Sequence, residues 1–417
     1  MAYKKRFFKN KILSNSFYLY LSHFADYILL LIFLPFIAHS LGVEEFGKIS
    51  LAQTFGIFLI LFFEFGSPLV LIREVSVKKE NQPELDLLIS KVFLFKLLIV
   101  PFAIIIGLLT LTLVPIFNAN PSYLLIVSIG AFFQGISPSW YFHGIEKMRK
   151  IAYSKFFFRL FCFVLIFFLV DSSDDGWIVL LAYSLSSLFI CIYLIFQLSK
   201  EIKSLTIPLI SETAEIYHIC RNSFFISTLP VVVQSITTLF LSSMIGPAQL
   251  GLYYGANRIY RALNSLFSPI GQAFFPNIVH INTINEQKAF SIARLLLFIL
   301  TIFGILLFLI LLFFSDEIVL FLLGKDYAGS SNILILFGAV LPFTAVSHVL
   351  GRQWLVVKNK DNQYMKCLAL SSAVFFICFF STINRFGAIS FPISLIGYEL
   401  ASIVFIISSF VLKSKLS

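Results

Sequence analysis

The chain of 417 residues is 59% hydrophobic and only 12% charged, with 51 phenylalanines and a mean hydropathy of +0.94. Soluble domains carry about 25% charged residues, so a soluble enzyme or binding module is excluded and a polytopic membrane protein remains. The formal net charge of +10 calls for no nucleic acid; its distribution follows membrane topology, and anionic membrane lipids are the partners it implies.

Apolar runs long enough to cross about 30 Å of hydrocarbon fall near 14–39, 47–72, 88–114, 122–142, 151–170, 177–198, 219–244, 252–280, 291–314, 331–356, 364–383 and 391–412. The expectation is an all-α polytopic membrane protein of about twelve transmembrane helices, arranged as an N-terminal six-helix bundle (1–200) and a C-terminal six-helix bundle (201–417). The basic start MAYKKRFFKNK leads into a span with His23 and Asp26 and lacks a small-residue cleavage site, so the first helix is expected to stay in the mature chain. On the side of the N-terminus the connections carry twenty Lys and Arg, in clusters such as Lys4–Lys5–Arg6 and Lys147–Arg149–Lys150; the opposite side carries three, Lys48, Lys325 and Arg385. That asymmetry places both termini in the cytoplasm. Trp140, Trp177 and Trp354 fall near span ends, where indole rings favour the membrane interface.

Polar residues inside spans are costly and mark function or buried pairing. Taken in order, Asp26 lies in the first span, Gln53 and Glu64 in the second, Lys96 in the third, Arg159 in the fifth, Gln234 in the seventh, Arg352 in the tenth and Glu399 in the twelfth. Asp26, Glu64 and Glu399 are candidates for ion coupling or for pairing with a buried arginine. Lys96, Arg159 and Arg352 lie within about two helical turns of a cytoplasmic end, so snorkelling explains them as well as cavity lining does.

The eighth span is the most informative. Tyr254, Asn257, Arg258, Arg261, Asn264 and Gln272 recur at three- and four-residue spacing and share one side of a helix. An arginine near mid-bilayer costs roughly 2.5–3.5 kcal/mol on insertion scales, so Arg258 and Arg261 must face protein, water or an anion. One reading is a cationic, hydrogen-bonding cavity for a negatively charged substrate, joined by Gln234 and Gln53; the other is a stripe of interhelical ion pairs.

The longest cytoplasmic connections, around 73–90 and 199–218, read as loops of about twenty residues, too short for a catalytic domain of about 50 residues or more. No phosphate loop, HExxH, nucleophile elbow or Cys/His cluster is present. Neither a metal nor a cofactor is implied, and the protein is expected not to be an enzyme. Cys162, Cys191, Cys220, Cys367 and Cys378 are scattered through apolar spans and read as buried thiols.

The sequence repeats itself. LGVEEFGKISLAQ from Leu41 and IGPAQLGLYYGAN from Ile245 lie 204 residues apart, with Gly42 and Gly47 matching Gly246 and Gly251, which suggests two bundles related by pseudo-two-fold symmetry about a midplane site.

PFIAHSLGVEEFGKISLAQ, SPSWYFHGIEKMRKIAYSKFFFRL, GLYYGANRIYRALNSLFSPIGQAFFP and LLGKDYAGSSNILILFGAVLPF together resemble the Wzx-type polysaccharide (O-antigen) flippases of the multidrug/oligosaccharidyl-lipid/polysaccharide exporter superfamily. The resemblance implies a multi-pass protein of the bacterial inner membrane. It would move an undecaprenyl-diphosphate-linked oligosaccharide, the repeat unit of an O-antigen or similar lipopolysaccharide glycan, from the cytoplasmic to the periplasmic leaflet, beside a polymerase and chain-length proteins of the same pathway. A diphosphate would need the arginines, the sugars the amides and Tyr254. Two other readings stay open at this point: a drug or small-molecule antiporter of the same superfamily, and a membrane-embedded glycan polymerase or glycosyltransferase.

Overall fold

The computed structural model describes the backbone of residues 2–204, 208–282, 284–358 and 360–414; within these, the side chains of 2–17, 19–20, 22–28, 30, 67–69, 222–223, 225–227, 229–230, 268–269, 272–273, 275–277, 280, 352, 361 and 410–414 fall outside the description. No strand occurs among the described residues. Each of the twelve expected spans coincides with a helix or a broken pair of helices. Helix α1 covers 2–41 and α2 covers 43–64, continuing as Ser67–Lys78. Next come α3 (Gln82–Leu98, continuing as Val100–Leu113), α4 (Pro121–Ile136, continuing as Ser139–Gly144), α5 (Met148–Leu169) and α6 (Gly176–Ser199). The second half holds α7 (Ile210–Met244), α8 (Pro247–Ser265, then Phe267–Asn282) and α9 (Glu286–Leu322). It ends with α10 (Ser330–His348, then a π-helical Val349–Leu355), α11 (Asp361–Phe386) and α12 (Ser390–Ser414).

The breaks have local causes. Gly42 has φ +69° and separates α1 from α2, a conformation that costs glycine nothing. Phe65 (φ +44°) and Gly66 (φ +66°) break α2; Phe65, as a bulky residue there, is held by stacking on Phe224 with centroids 4.4 Å apart and by an edge contact with Phe95 at 5.3 Å. Proline opens helices at Pro115, Pro121 and Pro247, where its missing N–H is no loss.

Eight helical stretches are long and apolar enough to cross a membrane among the described residues, and two of them, Leu31–Glu64 and Asn362–Ser409, each run through parts of two helices. Of α7 the described residues give a shorter apolar stretch, Val231–Met244, and α8 is strongly amphipathic over Pro247–Ser265. Apolar side chains such as Phe102, Leu108, Phe298 and Ile302 stand exposed, the surface a lipid phase would solvate.

The chain forms two compact units, one of residues 1–41 with 48–239 and one of 42–47 with 240–417. The seam runs through α7 because its first half belongs to the core of the first unit. Ile216 and Cys220 pack there among Leu71, Leu88 and Trp140, and Glu215 bonds Lys91 at 2.7 Å.

Two local expectations differ. The stretch 73–90 is mostly helical, since α2 runs to Lys78 and α3 starts at Gln82; an apolar-run criterion stops where charges begin, whereas helix propensity does not. Trp140 and Trp354 are buried, the first in the core of the first unit and the second against Phe290 at 5.0 Å with the Lys358 ammonium 4.5 Å from its ring. Only Trp177 stands exposed among the three. The other two fill the ends of helix packing, where a large ring removes more apolar area from water than at an interface.

Candidate functional site

In the second unit the two copies of the repeat pack on each other. A Cβ on Gly47 would collide with the Pro247 carbonyl, and one on Gly251 with the Val43 carbonyl. Each glycine thus meets the carbonyl four residues before the other, a reciprocal crossing that only bare backbone permits. The joint is reinforced by the Tyr327 hydroxyl, which donates to the Gly42 carbonyl at 3.1 Å, and by Ser330 Oγ, which donates to the Leu252 carbonyl at 2.8 Å.

From this joint α8 carries the polar face expected of it. Tyr254 and Asn257 are buried; Arg258, Arg261 and Asn264 are half-buried. The Arg258 guanidinium carbon sits 4.6 Å from the centroid of the Phe46 ring, which in turn meets Tyr327 edge-on at 5.7 Å. A guanidinium over a desolvated ring gains about 2 kcal/mol, so Arg258 has a protein partner. Arg261, one turn on, lies within electrostatic reach of Tyr253 and Tyr260 but forms no hydrogen bond or ion pair among the described residues. Asn257 Oδ1 and Asn264 Oδ1 are buried without a hydrogen-bond partner there, leaving acceptors for water or a ligand.

Glu399 on α12 is 7% exposed. Thr344 Oγ1 on α10 donates to its Oε1 at 3.1 Å, and Ser347 Oγ donates to its Oε2. Tyr260 of α8 lies within electrostatic reach of the same carboxylate, so three helices of the unit converge on it, and no Lys or Arg pairs with it among the described residues.

The first unit holds the other placed candidates. Lys96 is 2% exposed and its Nζ donates to the Gly135 carbonyl at 2.6 Å, within electrostatic reach of Glu64. Lys155 of α5 bears on Glu64 as well. Arg159 lines a narrow crevice with Cys162, Phe163, Ile166, Tyr183 and Ser186. Gln53 and Gln234 are half-buried on α2 and α7. The side chains of Asp26, Gln272 and Arg352 lie outside the described residues. Thr344 and Ser347 escaped the sequence reading, although hydroxyls three apart in one span and a lone glutamate in another that needs a partner are a usable signal; Phe46 escaped it because nothing local distinguishes one phenylalanine among 51.

Outside the spans, Glu201 receives hydrogen bonds at 2.8 Å from both Lys147 and Lys150. Burial raises its carboxyl, but the two lysines outweigh it and hold the group below its ordinary value. Asp86 of α3 accepts the backbone N–H groups of Lys203 at 3.1 Å and Ser204 at 3.0 Å, tying the connection before α7 to the first unit.

A many-helix fold with apolar spans, a reciprocal glycine joint and buried polar groups defines a multi-pass membrane protein. Residues 12–282 match the family model described as polysaccharide biosynthesis protein, and the chain belongs to that family. A protein of Escherichia coli (strain K12) assigned as an O-antigen transporter is 25% identical over 393 residues, 92% of this chain and 93% of that protein. Among solved structures, the lipid II flippase MurJ in an inward closed conformation superposes with a TM-score of 0.78 at 18% identity, covering 95% of this chain and 87% of that one. An inward-facing multidrug resistance transporter of the MATE family in the MOP superfamily gives 0.65 at 13% identity, covering 92% and 95%. These structures share the fold, and the resemblance to Wzx-type flippases read from the sequence is upheld.

Proposed function

We propose that the protein is a flippase moving an undecaprenyl-diphosphate-linked oligosaccharide from the cytoplasmic to the periplasmic leaflet of a bacterial inner membrane, both termini being cytoplasmic. Alternating access of the halves 1–200 and 201–417, driven by an ion gradient or the membrane potential, carries the head group, and a polymerase with its chain-length protein receives it. The observation supporting this reading most directly is Arg261, a half-buried guanidinium on a membrane helix with no counter-ion among the described residues. It stands beside the unpartnered Asn257 and Asn264 acceptors, a surface suited to a diphosphate followed by sugars. The family and the K12 relative support the same cargo class.

The test is flux of a lipid-linked oligosaccharide into vesicles containing the purified protein, with an imposed pH gradient or potential. Arg261→Ala should abolish flux at normal protein level, and Arg261→Lys should restore it in part, since an ammonium offers no planar fork. Wild-type flux in a folded Arg258→Ala/Arg261→Ala protein defeats the substrate role. Orientation is checked separately: a reporter active only in the periplasm should be active when fused at Asp174 and silent at Arg149.

A further inference from the structure

Helix α10 changes its hydrogen-bond register directly after the residues that hold Glu399. It is α-helical from Ser330 to His348 and π-helical from Val349 to Leu355. The Val356 N–H reaches the Gly351 carbonyl at 3.2 Å, five residues back. A π segment holds one residue more than the α-helical path needs, so its conversion to α-helix advances everything beyond it by one position, a turn of about 100°.

The neighbourhood is built to allow this. Pro342 removes one backbone donor from α10 upstream. Gly351 lets the ring of Tyr364 lie where a side chain would be. Gln353, 3% exposed, donates through Nε2 to the Gly271 carbonyl at 2.9 Å, which joins the π segment to the part of α8 beyond its own break after Ser265. Ser347, two residues before the π segment, donates to one oxygen of Glu399 while Thr344 donates to the other.

We propose that the charge on Glu399 sets the register of 349–355. An ionised carboxylate accepts from both hydroxyls and anchors α10 at Thr344 and Ser347. A neutral acid turns one oxygen into a hydroxyl donor and poor acceptor, which releases one anchor and lets the π segment relax into α-helix, carrying Gln353 off the Gly271 carbonyl and turning position 352. The inference deepens the coupling reading above, on which its role in transport rests, by naming what the coupling group moves. Among the described residues, Tyr260 of α8 lies within electrostatic reach of Glu399; the other titratable or charged side chains on the packed elements are Tyr253, Tyr254, Arg258 and Arg261 on α8, Arg294 on α9, His348 on α10, Tyr364 and Lys366 on α11 and Tyr398 on α12, and a substitution at 399 removes the carboxylate without changing the pH that bears on them.

The experiment compares single cysteines at 356 and 357 in the full chain in lipid, with labelling by a small maleimide read site by site by mass spectrometry. Val356 is half-exposed and Val357 is 7% exposed. With Glu399 intact, 356 should label about tenfold faster than 357, as protected positions do; with Glu399→Gln or Ser347→Ala the order should reverse. An unchanged order in either variant, folded as judged by its melting curve, overturns the proposal. If the order reverses while flux ignores pH and potential, the register switch stands and the coupling reading falls.

Discussion

Two buried ionisable groups, one in each unit, are held in opposite ways. Lys96 bonds a main-chain carbonyl, that of Gly135, one residue before the end of the first segment of α4 at Ile136. Pro138 follows that break, and the last carbonyls of a helix lack N–H partners of their own; an ammonium there satisfies one of them and meets the negative end of the helix dipole. Glu399 is held by two side-chain hydroxyls on a helix that changes register two residues later. A charge tied to backbone moves only if the helix end moves. A charge tied to hydroxyls can exchange partners when it is neutralised. The comparison casts Lys96 as scaffold and Glu399 as a working group.

The largest expected effect breaks the comparison if it fails. Glu399→Gln, nearly isosteric, should leave protein level and melting temperature close to wild type and abolish flux coupled to a gradient. Coupled flux at the wild-type rate would reduce Glu399 to a structural residue like Lys96. Lys96→Met should do the reverse. It strips a charged hydrogen bond from a buried carbonyl, costing about 1.5–3 kcal/mol, so the melting temperature should fall while flux per folded molecule stays near normal. Flux lost at unchanged stability would move Lys96 into the machinery.

The twelve helices were legible because spanning hydrocarbon demands long apolar runs, and that demand acts on local sequence. The joint was legible in part: Gly42, Gly47, Gly246 and Gly251 stood out as a repeat, but that Gly47 and Gly251 meet each other's backbone is a long-range fact. On the polar side, the spacing on α8 announced a shared face. It did not reveal that Arg258 stacks on Phe46, more than two hundred residues earlier in the chain. The Thr344–Glu399 bond spans 55 residues, and the π segment that follows meets Tyr364 at Gly351 and the Gly271 carbonyl through Gln353, partners distant in the chain. The seam at 239/240 was hidden for the same reason, since α7 reads as one continuous helix and only its partners divide it.

The smallest effect sharpens the comparison outside the membrane, where a charge pair is wet and held by long side chains. Glu201 bridges Lys147 and Lys150 at 2.8 Å, and its folded-state value lies below its unfolded one because the lysines outweigh the opposing cost of burial. A carboxyl depressed in this way stabilises the fold above the ordinary value of 4.5, and the contribution disappears as pH falls through the lower folded value. Glu201→Gln should therefore lower stability at pH 7 by under about 1 kcal/mol, since all three ions are partly exposed and screened. The gap between wild type and variant, followed by melting curves, should narrow as pH drops below 4.5 and should shrink with added salt. A gap that persists in acid would mean that Glu201 acts through its packing, or through the hydrogen bond from Tyr141 at 3.2 Å, rather than through its charge. In that case it would join Lys96 as an anchor of the first unit, one that titration does not release.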